Sequence, residues 1–156
     1  FEAGGFAVAT ASAGAAAASL LSFPGRFTAP FMARAWGGLR IQLVALLFLA
    51  ASAAVAIDGS QTWQLVAHFF VFGLAFGAML PIRASIMGEW YADESFGQVM
   101  GSQWMVASVA GALGPAVVGM VRDATDGYGI PMVLVTAGLV VAAGLTIASA
   151  RMPASG

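Results

Sequence analysis

Long runs of apolar residues alternate with short polar segments along the chain, and this alternation predicts membrane-spanning helices. A helix needs about 20 mostly apolar residues to cross a bilayer. Five segments meet this requirement: residues 8–31, 41–57, 63–82, 98–121 and 130–150. The segments between them, of which 83–97 is the longest, contain the Gly, Asp and Ser typical of turns. The pattern therefore predicts an all-α fold, a polytopic bundle of five transmembrane helices.

Composition agrees with a membrane protein. The chain is 60% hydrophobic and only 8% charged, whereas soluble domains carry about 25% charged residues. A net charge of −1 argues against nucleic acid as a partner. The absence of cysteine excludes disulfides and thiolate sites, and the single histidine excludes the usual zinc cluster. No Walker, HExxH or GxSxG motif is present, so neither an enzyme, a cofactor nor a metal site is predicted.

The arginines are distributed unequally over the two sides of the predicted bundle. Arg34 and Arg40 lie between the first two spans, Arg83 follows the third, and Arg151 follows the last. The opposite side holds only Arg122. Because cytoplasmic loops are enriched in arginine, we expect the first span to begin outside and the chain to end in the cytoplasm. Abundant alanine and the absence of lysine favour a bacterial source, and hence the inner membrane.

One further arginine, Arg26, lies inside the first apolar segment. A charge at the bilayer centre costs about 2.5 kcal/mol or more, so such a residue usually has a function. At 100° per residue, Ser12, Ser19 and Ser22 share an arc of about 80° with it. A guanidinium matches the geometry of a carboxylate, and the serines could donate to the same ligand. The alternative is that Arg26 reaches the interface, or forms a structural ion pair.

Three polar or aromatic residues of the third and fourth spans are further candidates. His68 could relay protons or line a cavity, but a lone membrane histidine more often hydrogen-bonds a neighbouring helix. Gln103 could bind a polar solute. Trp104 could form a cavity wall, or anchor the helix at the membrane interface.

Small residues and one proline predict close helix packing and a point of bending. Four glycines form two GxxxG pairs, which let helix backbones approach closely in lipid: Gly73 with Gly77, and Gly97 with Gly101. Gly114 and Pro115 weaken the fourth helix, because proline removes a backbone donor, and they could allow gating.

Three stretches resemble a known family. The first comprises Phe23-Pro24-Gly25-Arg26 and Met32 to Arg40. The second comprises Gly73 to Gly77, Glu89-Trp90-Tyr91 and Phe96 to Gly101. The third comprises Gly114-Pro115, Gly119 and Asp123 to Tyr128. Together they resemble helices eight to twelve in the C-terminal half of a major facilitator superfamily transporter, most closely the monocarboxylate porters and their bacterial relatives. Two positions differ: Arg34 stands where the family usually has an acidic residue, and Ser22 where porters often have aspartate.

The resemblance implies a secondary transporter that carries a small organic anion by alternating access. An arginine matching Arg26 would bind the substrate carboxylate, and a coupling proton would be a second partner. The second and fifth spans would be peripheral, and the first, third and fourth would line the cavity. The chain lacks a starting methionine. The resemblance implies that residues 1–156 form a partial C-terminal half, and that the N-terminal half and the first helix of this half are missing. The alternatives are a drug or neutral-solute exporter of the same superfamily, and a membrane scaffold or sensor that transports nothing.

Overall fold

The computed structural model describes residues 8–91 and 95–150, and these residues are helical apart from short connections. The five helices are α1 (Val8–Trp36), α2 (Gly38–Val55), α3 (Thr62–Trp90), α4 (Phe96–Thr125) and α5 (Gly129–Ser149). No strand occurs within the described ranges. Each helix is long and apolar enough to cross a membrane. The prediction of an all-α bundle with five membrane-length helices is therefore confirmed.

The helices end at different positions from those that apolarity predicts. The expected connection at 83–97 is shorter, because α3 continues to Trp90 and α4 begins at Phe96. Ile86 and Met87 extend the buried side of α3 beyond Ile82, and this packing keeps the segment helical. The length of an apolar segment reflects the thickness of the bilayer, whereas the length of a helix also depends on contacts outside the hydrocarbon layer.

The expected loop between Arg34 and Arg40 is reduced to a single residue between α1 and α2. Gly37 has a φ angle of 89°, a conformation that is accessible to glycine and strained for other residues. Its carbonyl accepts a hydrogen bond from the Ile41 amide at 3.3 Å, and its own amide donates to the Ala33 carbonyl at 2.7 Å. The turn is therefore short enough to bring the end of α1 directly against the start of α2.

Helix α3 lies at the centre of the bundle. It packs extensively against α1 and α2, while α2 also packs against α5. Helix α4 contacts α3 and α5 only sparingly. One end of the bundle contains a buried apolar cluster formed by α1, α2 and α3: Ala29, Ala33, Ile41, Ile82, Ile86 and Met87. The contact between α1 and α3 is the most extensive in the described bundle, and it forms the cavity described below.

In the folded bundle, most of the described arginines lie at one end. Arg34, Arg40 and Arg83 lie near the end that contains the buried cluster. At the other end, the Ile57 carbonyl lies 4.0 Å from the position that a Cβ on Gly129 would occupy, so the α2–α3 and α4–α5 connections are neighbours. Arg151, which completes the predicted asymmetry, lies outside the described residues.

Candidate functional site

Two glycines of α3 allow its backbone to approach the backbone of α1. A Cβ atom on Gly73 would lie 2.5 Å from the Ala18 carbonyl oxygen, and one on Gly77 would lie 2.7 Å from the Ser22 Cα atom. Gly25 serves the same purpose on α1, since a Cβ there would overlap the Leu74 carbonyl. Any side chain at these positions would push the helices apart, so the GxxxG pair of α3 lies in a true backbone contact.

A cavity of about 490 Å³ lies beside this contact, between α1 and α3. Its size is within the usual range for small-molecule sites, about 300–1,000 Å³. The structure brings Arg26, Ser19 and Ser22 together in this cavity, while Ser12 is not among the lining residues. Nine residues line it: Ala15, Ala18, Ser19, Ser22, Phe23, Arg26, Phe69, Phe72 and Phe76.

Arg26 is the only charged side chain among the described residues that line the cavity. Its Cζ atom lies 5.8 Å from the centroid of the Phe23 ring, one turn earlier on α1. Within residues 8–91 and 95–150, its guanidinium forms neither a hydrogen bond nor an ion pair. Arg26 is exposed at the cavity, and its N–H donors have no protein acceptor from the described chain.

The hydroxyl groups of the two serines donate hydrogen bonds within α1, whereas from the sequence we expect that they could donate to a ligand. Ser22 is only 5% exposed, and its hydroxyl donates to the Ser19 carbonyl at 2.6 Å. The Ser19 hydroxyl donates to the Ala15 carbonyl at 3.0 Å. Both hydroxyl hydrogens are thus used within α1, as is common for serine in membrane helices. The serines line the cavity as weak acceptors, and Arg26 supplies the donors.

Aromatic rings form the α3 side of the cavity. Phe72 and Phe76 are stacked, with centroids 5.3 Å apart and an interplanar angle of 9°. Phe69 also lines the space, and together with Phe72 and Phe76 it follows the i, i+3, i+7 spacing of one helix face. Sequence reasoning did not assign these residues to the site, although that spacing was available to find them.

His68 lies behind this aromatic side and connects α3 to α2. Its Nδ1 atom is 3.0 Å from the Ser52 carbonyl oxygen and 3.0 Å from Ser52 Oγ, and the Ser52 hydroxyl donates to the His68 carbonyl at 3.0 Å. The imidazole also stacks on Phe72, with centroids 5.7 Å apart. His68 is not among the cavity-lining residues. These contacts fit the structural alternative, and proton relay by His68 stays a prediction.

Gln103 and Trp104 lie in a second cluster, between α3 and α4, instead of in the cavity. Arg83 Nε donates to Gln103 Oε1 at 2.8 Å, and Gln103 Nε2 donates to Met87 Sδ at 3.1 Å. The Arg83 Cζ atom lies 5.5 Å from the centroid of the Trp104 ring. Sequence reasoning missed Arg83 because it assigned the residue to a loop. We call this group, Arg83, Met87, Gln103 and Trp104, the α3–α4 polar contact.

The small residues of α4 have no close neighbour. Apart from adjacent residues and the backbone of α4 itself, no described atom lies within 4 Å of a Cβ position on Gly97, Gly101 or Gly114. Pro115 lies within α4 without ending it. No residue of α4 is buried by the rest of the described chain. A role of these residues in packing or gating stays a prediction.

Comparisons with known proteins add no relative. No protein-family model matches the chain, and no curated protein or solved structure is significantly similar to it. In the part of the chain that the structure describes, no group of three or more metal-ligating side chains lies together.

Proposed function

We propose that the chain belongs to a secondary transporter of a small organic anion, in the monocarboxylate class, and that Arg26 binds the carboxylate. One observation carries the proposal: a guanidinium without a partner among the described residues lines a cavity between two membrane-length helices. A charge in that position is costly unless a ligand, water or a counter-ion interacts with it. A carboxylate is the natural ligand, because its two oxygens match the N–H fork of arginine.

The same arrangement supports a simple binding step. The guanidinium is a cation, so it attracts the anion directly. The carboxylate replaces water around Arg26, and the rest of the solute enters the cavity. Alternating access would then require this helix bundle to move against a second half of the transporter, as the family resemblance implies. The arginine-rich end of the bundle would face the cytoplasm of a bacterial cell.

Uptake by Arg26 variants tests this proposal. The native-length protein is reconstituted in proteoliposomes, and uptake of a radiolabelled monocarboxylate is measured for wild type, Arg26→Ala and Arg26→Lys. We expect Arg26→Ala to abolish uptake and Arg26→Lys to reduce it strongly, because an ammonium lacks the bidentate fork. Arg122→Gln, at the other end of the bundle, is the matched control and should retain uptake. Unchanged uptake in Arg26→Ala would contradict the role of Arg26.

A neutral-solute or drug exporter of the same superfamily is the second candidate. The four phenylalanines that line the cavity favour it, because they offer an apolar surface to an uncharged molecule. In that case Arg26 would have a structural role. Competition distinguishes the two candidates: simple carboxylates should inhibit uptake by an anion transporter, and uncharged amides should inhibit the exporter.

A further inference from the structure

The cavity combines one positive charge with four aromatic rings, and this combination restricts the solute further than Arg26 alone does. Phe23 comes from α1, and Phe69, Phe72 and Phe76 come from α3. Resting on the proposed function, we propose that the substrate is a monoanion with a flat apolar body, in the class of aromatic carboxylates. Its carboxylate binds Arg26, and its ring packs against Phe72 and Phe76.

The arrangement of the rings favours a flat body over a small hydrophilic one. Phe72 stacks nearly parallel on Phe76 and also stacks on His68, so its faces are occupied and mainly ring edges form the aromatic surface of the cavity. An aromatic ring gains from offset or edge-to-face contacts with such a surface, in addition to the gain from burying its apolar area. A two-carbon acid would occupy only the region near Arg26 and leave the phenylalanines in contact with water.

The ring surface is also held in place before a ligand arrives. His68 stacks on Phe72 from the neighbouring position on α3, and its contacts with Ser52 link it to α2. Phe69 packs edge-on against the same imidazole, with centroids 5.1 Å apart. Packing against this imidazole restricts the Phe69 and Phe72 rings, and restricted side chains lose less conformational entropy when a ligand binds.

The single charge limits the solute to one carboxylate. The described residues that line the cavity include no second cation, and both serine hydroxyls already donate within α1. A second carboxylate would therefore lie against phenylalanine or alanine without a donor. Burying an unpaired charge in such surroundings is strongly unfavourable, so this lining favours a monoanion over a dianion.

Competition against radiolabelled benzoate tests the inference on the native-length protein in proteoliposomes. The competitors are acetate, benzoate, the dianion phthalate and the uncharged benzamide. We expect benzoate to bind about tenfold or more tightly than acetate, because only benzoate buries a ring. Phthalate and benzamide should compete poorly. Phe72→Leu should reduce the preference for benzoate over acetate to about threefold or less. Phe70→Leu, on α3 but outside the cavity lining, is the matched control and should keep the preference.

The outcomes separate this inference from the proposed function. Anion binding that depends on Arg26 but shows no preference for benzoate over acetate would overturn the inference and leave the proposed function standing. Equal loss of preference in Phe72→Leu and Phe70→Leu would also overturn it. Competition by benzamide as strong as by benzoate, unaffected by Arg26→Ala, would overturn both and support the neutral-solute candidate.

Discussion

Helices α3 and α4 carry the same GxxxG spacing in opposite surroundings. On α3, Gly73 and Gly77 meet the backbone of α1, and a Cβ atom at either position would overlap it. On α4, Gly97 and Gly101 have no described neighbour within 4 Å. The spacing therefore permits close contact without selecting a partner. What selects α1 is the complementary surface around Ala18 and Gly25, which lets the two backbones meet.

The cavity results from the close backbone contact between α1 and α3. Two helices that touch through glycine at one position leave space beside it when larger residues flank that contact. Phe23 on α1 and Phe72 and Phe76 on α3 border this space, and Arg26 contributes the charge. The described part of α4 has no such glycine contact, and its polar residues instead contact Arg83 and Met87 of α3. The proposed ligand site therefore lies in the α1–α3 region, where the cavity lining contains a charge.

The largest expected change in stability comes from replacing one glycine of the α3 pair, and one of the α4 pair, with alanine. Gly77→Ala should lower the free energy of unfolding by about 1–3 kcal/mol, because the new Cβ overlaps the Ser22 backbone. Gly101→Ala should raise it by about 0.5–1 kcal/mol, since alanine favours helix and meets no neighbour there. Unfolding in SDS followed by circular dichroism measures both. Shifts of the same sign would show that the two glycine pairs have equivalent surroundings.

The next effect concerns the arginine of the cavity. Arg26→Leu should raise the free energy of unfolding by about 1 kcal/mol, because the variant removes a charge without a described partner from a membrane helix. The same SDS titration measures it. Arg83→Leu is the contrasting variant and should be destabilising, since it removes the bond to Gln103. A loss of stability in Arg26→Leu would instead indicate a structural ion pair, which is the alternative reading of this residue.

A smaller change in stability is expected from removing a serine hydroxyl that connects two helices, compared with one that bonds within its own helix. Ser52→Ala removes a bond from α2 to the His68 carbonyl of α3, and should cost about 0.6 kcal/mol. Ser102→Ala on α4 is the matched control, because within the described residues that hydroxyl donates to the Val99 carbonyl of its own helix. Thermal unfolding in detergent, followed by tryptophan fluorescence, should show a lower midpoint for Ser52→Ala alone. Equal midpoints would mean that the Ser52–His68 contact contributes nothing measurable.

The sequence predicts what depends on a single helix and fails where two helices meet. Apolar length predicts the five helices, and the 100° spacing groups Ser19, Ser22 and Arg26, which line one cavity. Gln103 was predicted to join them, but its partner is Arg83, and helix periodicity carries no information about which helices are neighbours. The phenylalanine side of the cavity was missed for the same reason. Helix ends were missed because buried contacts, such as those of Ile86, extend α3 beyond its apolar segment.

The smallest effect tests whether the α3–α4 polar contact holds the start of α4. Gln103→Leu removes the acceptor of the Arg83 Nε–H at little cost in total stability, about 0.5 kcal/mol, because the contact is only partly buried. Its consequence should be local: hydrogen–deuterium exchange of amides near the start of α4 should increase, while amides of α1 and α3 around Gly73 keep their protection. Gln103→Glu retains an acceptor for Arg83 and should preserve wild-type exchange. If Gln103→Leu leaves exchange in α4 unchanged, this contact does not hold the start of the helix. Helix α4 would then differ even more in packing from the closely packed α1–α3 region.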